Sequence, residues 1–400
     1  MTVTAPAPIS ALRTLVRGAS AYPYFADKYR DVDLDGDFHF SDVPVMTRAD
    51  VTASCEQVVR TRSRTTSAYL FTSGGSTAEP KLAWIPSGMH VDAVMAQWRP
   101  LHSDDVLANL AMPGRLWSAY LFYNRVAERA GADVIGLGDI DEAEMGQWLD
   151  FLARHRVSAL ACTPSQLGAV LRHCARAGHP LARGLRTAIW FGEPLDDALV
   201  ERLGEVAPEL GLWGNYGSTE TWVIGHNGPD CDRGTFHVLP HQHVEIDRGR
   251  VLVTTLSPQA VSPIIRYRIG DRGRWVACSC GRPGAALHVL GREDSLVKFA
   301  GTLVSPQELV AVATSLEGIS AAQVALLSDG AGDERLELRA IADPGVRAEI
   351  VRERLLDSQI DLRFGLRGND DALRVRFVER LTRSAQTAKT PALVRSGASS

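Results

Sequence analysis

From Ala68 onward the sequence alternates short apolar runs with amphipathic stretches, and this alternation restricts the fold more than any other feature. AYLFTSGG (68–75) runs from a strand into a Gly-rich loop. SALACTPSQLGAVLRHCARAG (158–178) reads as strand, turn and helix, and LRTAIWFGEPLDDALVERLGEV (185–206) repeats that order. GLWGNYGSTE (211–220) is a further apolar run that closes on polar residues. Strands that alternate with helices imply a mostly parallel sheet with helices over its faces.

The pattern changes at both ends of this region. Residues 1–64 read as short helices and irregular segments. Residues 234–292 are β-rich, with strand alternation in HVEIDRGRVLVTTL (243–256) and ALHVLGRED (286–294). The last hundred residues form a small α+β unit. A helix opens on Ser305-Pro306, a hairpin covers 321–329 and 334–343, a second helix covers 348–361 and a strand covers 373–381. The expected class is therefore α/β, a large N-terminal unit (1–293) with a β-rich subdomain, followed by a small α+β unit (294–400). Four hundred residues are too many for one ordinary core.

Bulk composition excludes several classes. A net charge of −4 offers no basic field to nucleic acid and no polybasic membrane patch. The N-terminus has no continuous apolar stretch and no run could span a bilayer, so a cytoplasmic location is expected. Six cysteines are too few for a secreted disulfide scaffold of this length. Of 43 basic residues only Lys28, Lys81, Lys298 and Lys389 are lysine. Where Arg is so strongly favoured, a Lys that persists inside a motif marks a place for a compact charge able to follow a phosphate.

Three constellations carry chemistry. Thr72-Ser73-Gly74-Gly75-Ser76-Thr77-Ala78-Glu79-Pro80-Lys81 can surround an oxyanion with hydroxyls, backbone N–H groups and one cation, although it lacks Walker A spacing. In Asn215-Tyr216-Gly217-Ser218-Thr219-Glu220 the carboxylate reads either as a Mg²⁺ ligand beside phosphate or as part of a helix N-cap. In Arg266-Tyr267-Arg268-Ile269-Gly270-Asp271 an Asp after a Gly turn can accept two ribose hydroxyls, or close a plain β-turn.

TSGGSTAEPK, NYGSTE, RYRIGD, GREDSLVKFAG and a late lone Lys, in that order, resemble the motifs of the acyl-adenylate-forming superfamily. Thr163–Ser165, FGEPL (191–195), FHV (236–238) and CSCGR (278–282) are most similar to its phenylacetate–CoA ligase-like branch. The resemblance implies that the 72–81 loop holds the β- and γ-phosphates of ATP. It implies that Gly192, Glu193 and Pro194 face Asn215, Tyr216 and Gly217 across the adenine. Thr219 would contact the α-phosphate, Glu220 would ligate Mg²⁺, and Asp271 with Arg292 would hold the ribose. Asp294 matches the hinge of the small domain, and Lys389 the lysine that reaches the carboxylate and α-phosphate. Two positions depart from the pattern: Ala78 and Ala388 stand where glycines are usual.

Cys231 and His237, in Cys-x5-His spacing, and Cys278-Ser279-Cys280 offer three thiolates and an imidazole, a closed structural zinc set. The Cys-x-Cys spacing is unusual for zinc, and four unrelated side chains are the alternative; a similar set in the same branch favours the metal. Trp117, Ser118, Ala119, Tyr120 and Trp190 are the expected acyl pocket, and Phe122, Tyr123 and Trp222 add surface suited to a flat ring. The implied reaction activates an aromatic or other small carboxylic acid as acyl-AMP and passes it to a thiol. CoA is the expected co-substrate. A carrier-protein thiol or an amine (including a diazotase-like use of the fold) is the alternative, a catalytically silent nucleotide binder is another, and a homodimer is possible.

Overall fold

The structure, a computed structural model, describes residues 7–61, 67–72, 82–195, 197–293, 297–299, 302–328, 334–359, 362–363, 366 and 369–397. The chain opens with α1 (Ile9–Ala19), α2 (Pro23–Lys28) and α3 (Arg48–Thr61). Leu12, Val16 and Ala19 form one buried stripe of α1, and with Phe25 they close a core against Val251, Val253 and Tyr267. A two-stranded hairpin follows, β1 (Ala68–Thr72) and β2 (Leu82–Pro86), paired so that Thr72 faces Leu82. Residues 73–81, the expected phosphate loop, lie outside the described residues.

The β–α alternation is then realised as α4 (Val91–Met95), β3 (Val106–Asn109), α5 (Ala119–Ala130), β4 (Asp133–Gly136), α6 (Met145–Arg154), β5 (Ala159–Cys162), α7 (Pro164–Ala177), α8 (Leu181–Gly184), β6 (Thr187–Trp190), α9 (Asp197–Val206) and β7 (Gly211–Ser218). All four residues of both β5 and β6 are buried, as parallel strands covered on two faces must be. Thr163 and Gln166 form a reciprocal capping box at the start of α7, Pro164 occupies its first turn, and Gly178 ends it at φ 60°.

The β-rich stretch supplies β8 (Trp222–Asn227), β9 (Thr235–Val238), β10 (Gln242–Asp247), β11 (Arg250–Thr255), β12 (Tyr267–Val276) and β13 (Ala286–Arg292). These strands continue the parallel sheet. One 11-stranded sheet runs β10-β11-β12-β13-β9-β8-β7-β6-β5-β3-β4, parallel from β7 to β4 and antiparallel from β7 to β10. Among the described residues no helix is long and apolar enough to cross a membrane.

The C-terminal unit contains β14 (Val297–Phe299), β15 (Thr302–Val304), α10 (Pro306–Thr314), β16 (Ile319–Ser328), β17 (Glu334–Ala342), α11 (Ala348–Ser358), β18 (Leu373–Phe377) and β19 (Leu393–Gly397). The expected hairpin is β16–β17, within a four-stranded sheet ordered β18-β17-β16-β19. The strand expected over 373–381 stops at Phe377, and β19 enters beside β16 in parallel. Between β18 and β19 the chain leaves the sheet to carry Lys389. Fully buried Gln323 of β16 pins both ends of that excursion: its Nε2 donates to the carbonyls of Thr382 (2.9 Å) and Pro391 (2.8 Å), and its Oε1 accepts from the Thr382 amide (3.1 Å).

Candidate active site

Three structural pieces converge: the C-terminal ends of β6 and β7, the β12–β13 pair, and the loop that carries Lys389. At β7 the chain turns back into β8 as an antiparallel hairpin, with Thr219 and Glu220 in the turn. The helix N-cap alternative for Ser218 and Thr219 is thereby excluded. Gly217 permits the hairpin, because a Cβ there would stand 2.3 Å from the Trp222 carbonyl oxygen. Glu220 is buried and accepts a hydrogen bond from the Tyr267 hydroxyl at 2.5 Å. Burial, then the Glu220 carboxylate, raises the Tyr267 phenol, so it stays protonated and donating.

Tyr216 projects from β7 toward β12. Its hydroxyl donates to Asp271 Oδ2 at 2.6 Å, and its ring stacks on Phe236 with centroids 5.3 Å apart. Asp271 pairs across strands with Arg292, whose Nη1 lies 3.5 Å from Oδ1. The β-turn alternative for Gly270–Asp271 is not realised: both residues lie within β12, where Gly270 holds φ +91°, a conformation that disfavours any side chain, and a Cβ on it would crowd Arg292 Nη2 at 2.8 Å. Asn215 Oδ1 accepts from the Tyr123 hydroxyl at 3.2 Å, which ties the β7 wall to α5.

Beyond β6, Gly192 at φ +80° turns the chain so that Glu193 faces Lys389. Glu193 Oε2 accepts from the Ser165 amide at 3.0 Å and from the Ser165 hydroxyl, and Oε1 accepts from the Thr390 amide at 2.5 Å. Burial raises the Glu193 carboxyl, while Ser165, Thr390 and Lys389 hold it down. Burial lowers the Lys389 ammonium, and Glu193 raises it back. The Lys389 side chain fills the space above Gly192: a Cβ there would lie 2.4 Å from Cε and 2.6 Å from Nζ. Nζ also stands 5.8 Å from the centre of the Trp117 ring. The preceding Ala388 has φ +53°, a conformation glycine adopts more readily.

The expected acyl-pocket residues divide. Trp117 is buried against Phe191 (5.9 Å between centroids), which stacks on Tyr123 (4.5 Å). Ser118 and Ala119 start α5 beside it. Trp190 is buried at the end of β6 against Phe236, and its indole N–H has no hydrogen-bond partner among the described residues. Tyr120 instead lays its hydroxyl over Gly136 of β4. Thr72 ends β1, and its amide donates to the Leu116 carbonyl at 2.9 Å. Ser73, Gly74, Gly75, Ser76, Thr77 and Lys81, and the hinge position Asp294, lie outside the described residues.

On the far side of the sheet, Cys231, His237, Cys278 and Cys280 place one ligand atom each within 4.8 Å of one another. His237 Nε2 is 3.2 Å from Cys280 Sγ. Burial, then the neighbouring Cys278 and Cys280, push the Cys231 thiol up to about 12. Three thiols and an imidazole at this spacing can become thiolate ligands only with a cation among them, and this donor set fits zinc.

The sheet order and the appended small unit define the fold of the adenylate-forming enzymes. The structure overlays on 2-hydroxyisobutyryl-CoA ligase in its postadenylation state with a TM-score of 0.74, at 16% identity, covering 97% of this chain and 88% of that one. The same ligase in its thioesterification state overlays at 0.61, covering 98% and 89% at the same identity. Residues 25–251 match the AMP-binding enzyme family, and the chain belongs to it. One of the plipastatin synthase proteins of Bacillus subtilis (strain 168) is 24% identical over 339 residues, 72% of this chain and 9% of that protein. Phenyloxazoline synthase MbtB of Mycolicibacterium paratuberculosis is 25% identical over 329 residues, 72% of this chain and 27% of that protein. The chain thus spans about a quarter or less of the length of these relatives.

Proposed function

We infer that this chain condenses ATP with a small aromatic carboxylic acid to give acyl-AMP and pyrophosphate, and then passes the acyl group to the thiol of CoA. The observation that carries this reading is that Lys389, from the C-terminal unit, lies over Gly192 at the end of β6, while Glu220 and the Tyr216–Asp271–Arg292 cluster sit on the neighbouring β7–β8 hairpin and the β12–β13 pair. Tyr216, Asp271 and Arg292 hold the ribose, and Gly192–Pro194 and Asn215–Gly217 flank the base. As the carboxylate oxygen attacks the α-phosphorus and pyrophosphate departs, negative charge builds on the phosphoryl oxygens; Lys389 and Thr219 face it, and Thr72–Lys81 receives the leaving phosphates. Glu220 is the Mg²⁺ ligand, and that ion supplies charge neutralisation when bound. The Trp117, Phe191 and Trp190 rings suit a flat acyl group.

Cys231, His237, Cys278 and Cys280 hold a structural zinc that ties β9 to the loop after β12. Residues 1–293 form the adenylating unit, and 294–400 the unit that moves about Asp294. A second reading replaces CoA with a carrier-protein thiol or an amine; the likeness to a plipastatin synthase and a phenyloxazoline synthase favours it. Acid-dependent ATP–pyrophosphate exchange over a panel of aryl and arylacetic acids, with CoA consumption followed in parallel, tests both. Exchange with CoA consumption is the expected result, exchange alone transfers the acceptor role to the second reading, and no exchange with any acid overturns the activity.

A further inference from the structure

Among the described residues, the loop that brings Lys389 to the cleft is clamped to the N-terminal unit at three places. Thr390 and Lys389 meet Glu193. Gln386 Nε2 donates to the Arg115 carbonyl at 2.9 Å, and Arg115 Nη1 donates back to the Ala385 carbonyl at 3.1 Å. Arg383 Nη1 donates to both oxygens of Asp139, at 3.1 and 3.0 Å. The first contact belongs to the reacting cleft. The third lies outside it, just past the end of β4, and no step of the adenylation uses it.

We propose that Asp139 is the docking post for the lysine loop: a positioning residue that, through Arg383, selects the arrangement in which Lys389 can act. This rests on the adenylating reading above. Three features suit Asp139 to the role. Its Oδ1 also accepts from Gln166 Nε2 at 2.8 Å, and Gln166 is locked by the capping box of α7, so the carboxylate is aimed before the loop arrives. When Arg383 leaves, Gln166 still partners Asp139, so neither state strands the acceptor, and the contact is free to break and re-form. Arg383 also approaches other cations. Arg172 of α7 is lowered to about 10, by burial first and then by Arg202, with Arg176 and Arg383 contributing. Asp139 receives Arg383 directly, and with Glu142 it offsets the positive charge of this surface where the loop lands.

The landing strip for the rest of the loop is itself strained. Gly114, Arg115 and Leu116 take φ of 76°, 48° and 59°, three successive left-handed residues of which two are not glycine. Leu116 accepts from Thr72 at the end of β1, and Trp117 follows directly beneath Lys389. The docked loop, the mouth of the 73–81 segment and the acyl wall therefore share one stretch of backbone.

The test uses Asp139→Asn, which keeps an acceptor for Gln166, Arg383→Gln, which leaves the Asp139–Gln166 pair intact, and the double variant that combines them. Pyrophosphate exchange and consumption of a supplied acyl-adenylate by the thiol are measured separately. Energy transfer between dyes on unnatural residues at exposed positions 290 and 350 reports the arrangement of the two units. Each single variant is expected to lower exchange roughly tenfold, the scale of one charge-assisted contact. The thiol step should stay level or rise, the docked population should fall, and the double variant should lose no more than either single change, as two partners of one contact do. Equal falls in the two half-reactions, or an unchanged docked population, would overturn the proposal. If the wild type exchanges with no acid, the adenylating reading has failed; the dye measurement alone then decides whether Asp139 docks the loop.

Discussion

Gly192 and Lys389 occupy one small volume, and this makes a sharp residue-scale prediction. In Gly192→Ala the new methyl would overlap Cε and Nζ of Lys389, and the φ of +80° adds roughly 1–2 kcal/mol of backbone strain. The overlapped atoms are the free end of a flexible side chain, so the fold survives and Lys389 is displaced. Exchange should fall by about 100-fold or more, the usual scale for losing a preorganised charge, with only a few degrees lost in melting temperature. The Glu193 pair gives a pH prediction. In the proposed reaction Lys389 acts as a cation, so activity should be lost as pH rises through its pKa, which burial holds below the ordinary lysine range. Glu193 raises that pKa; Glu193→Gln removes the upward influence, and the alkaline limb of the exchange–pH profile should move to lower pH. An unmoved limb would mean that Lys389 does not set it.

At the scale of elements, the β7–β8 hairpin and the cysteine cluster govern stability. Gly217→Ala would place a methyl against the Trp222 carbonyl, which is backbone and cannot step aside. A loss of about 2 kcal/mol or more in denaturant unfolding is expected. Cys280→Ser should abolish bound zinc in elemental analysis and lower the melting temperature, since the cluster joins β9 to the loop between β12 and β13. How much of this was legible in the sequence follows from which interactions are local. The parallel strands announce themselves by short, mostly apolar runs such as ALAC and TAIW, and α7 by its Thr-Pro start and terminal Gly. Tyr216, Asp271 and Glu220 sit in short motifs beside a glycine that the backbone needs, Gly217 against the Trp222 carbonyl and Gly270 at φ +91°. Three features left no local mark. Asp139 lies in an unremarkable loop, and its partner Arg383 is 244 positions away. The strand β19 pairs across the sheet with β16, a register that only the fold supplies. Tyr120 reads as a pocket residue by its neighbours, yet the helical phase turns it toward Gly136.

At the scale of the whole molecule, one sheet carries Tyr216, Asp271 and Arg292, proposed above to face base and ribose, and a second, smaller unit carries Lys389, the cation of the proposed reaction. Among the described residues the lysine loop makes its polar contacts with the N-terminal unit at Asp139, Arg115 and Glu193, an arrangement that suits the opening joint proposed above. The central claim is that this joint assembles an adenylating site around Lys389. The most direct test is acid-dependent ATP–pyrophosphate exchange by the wild type and by Lys389→Ala, with ATP binding measured on both. The account predicts robust exchange by the wild type, a loss of about 100-fold or more in the variant, and ATP affinity changed by little. Exchange that survives the substitution, or a wild type that binds ATP and exchanges with no acid, would contradict it.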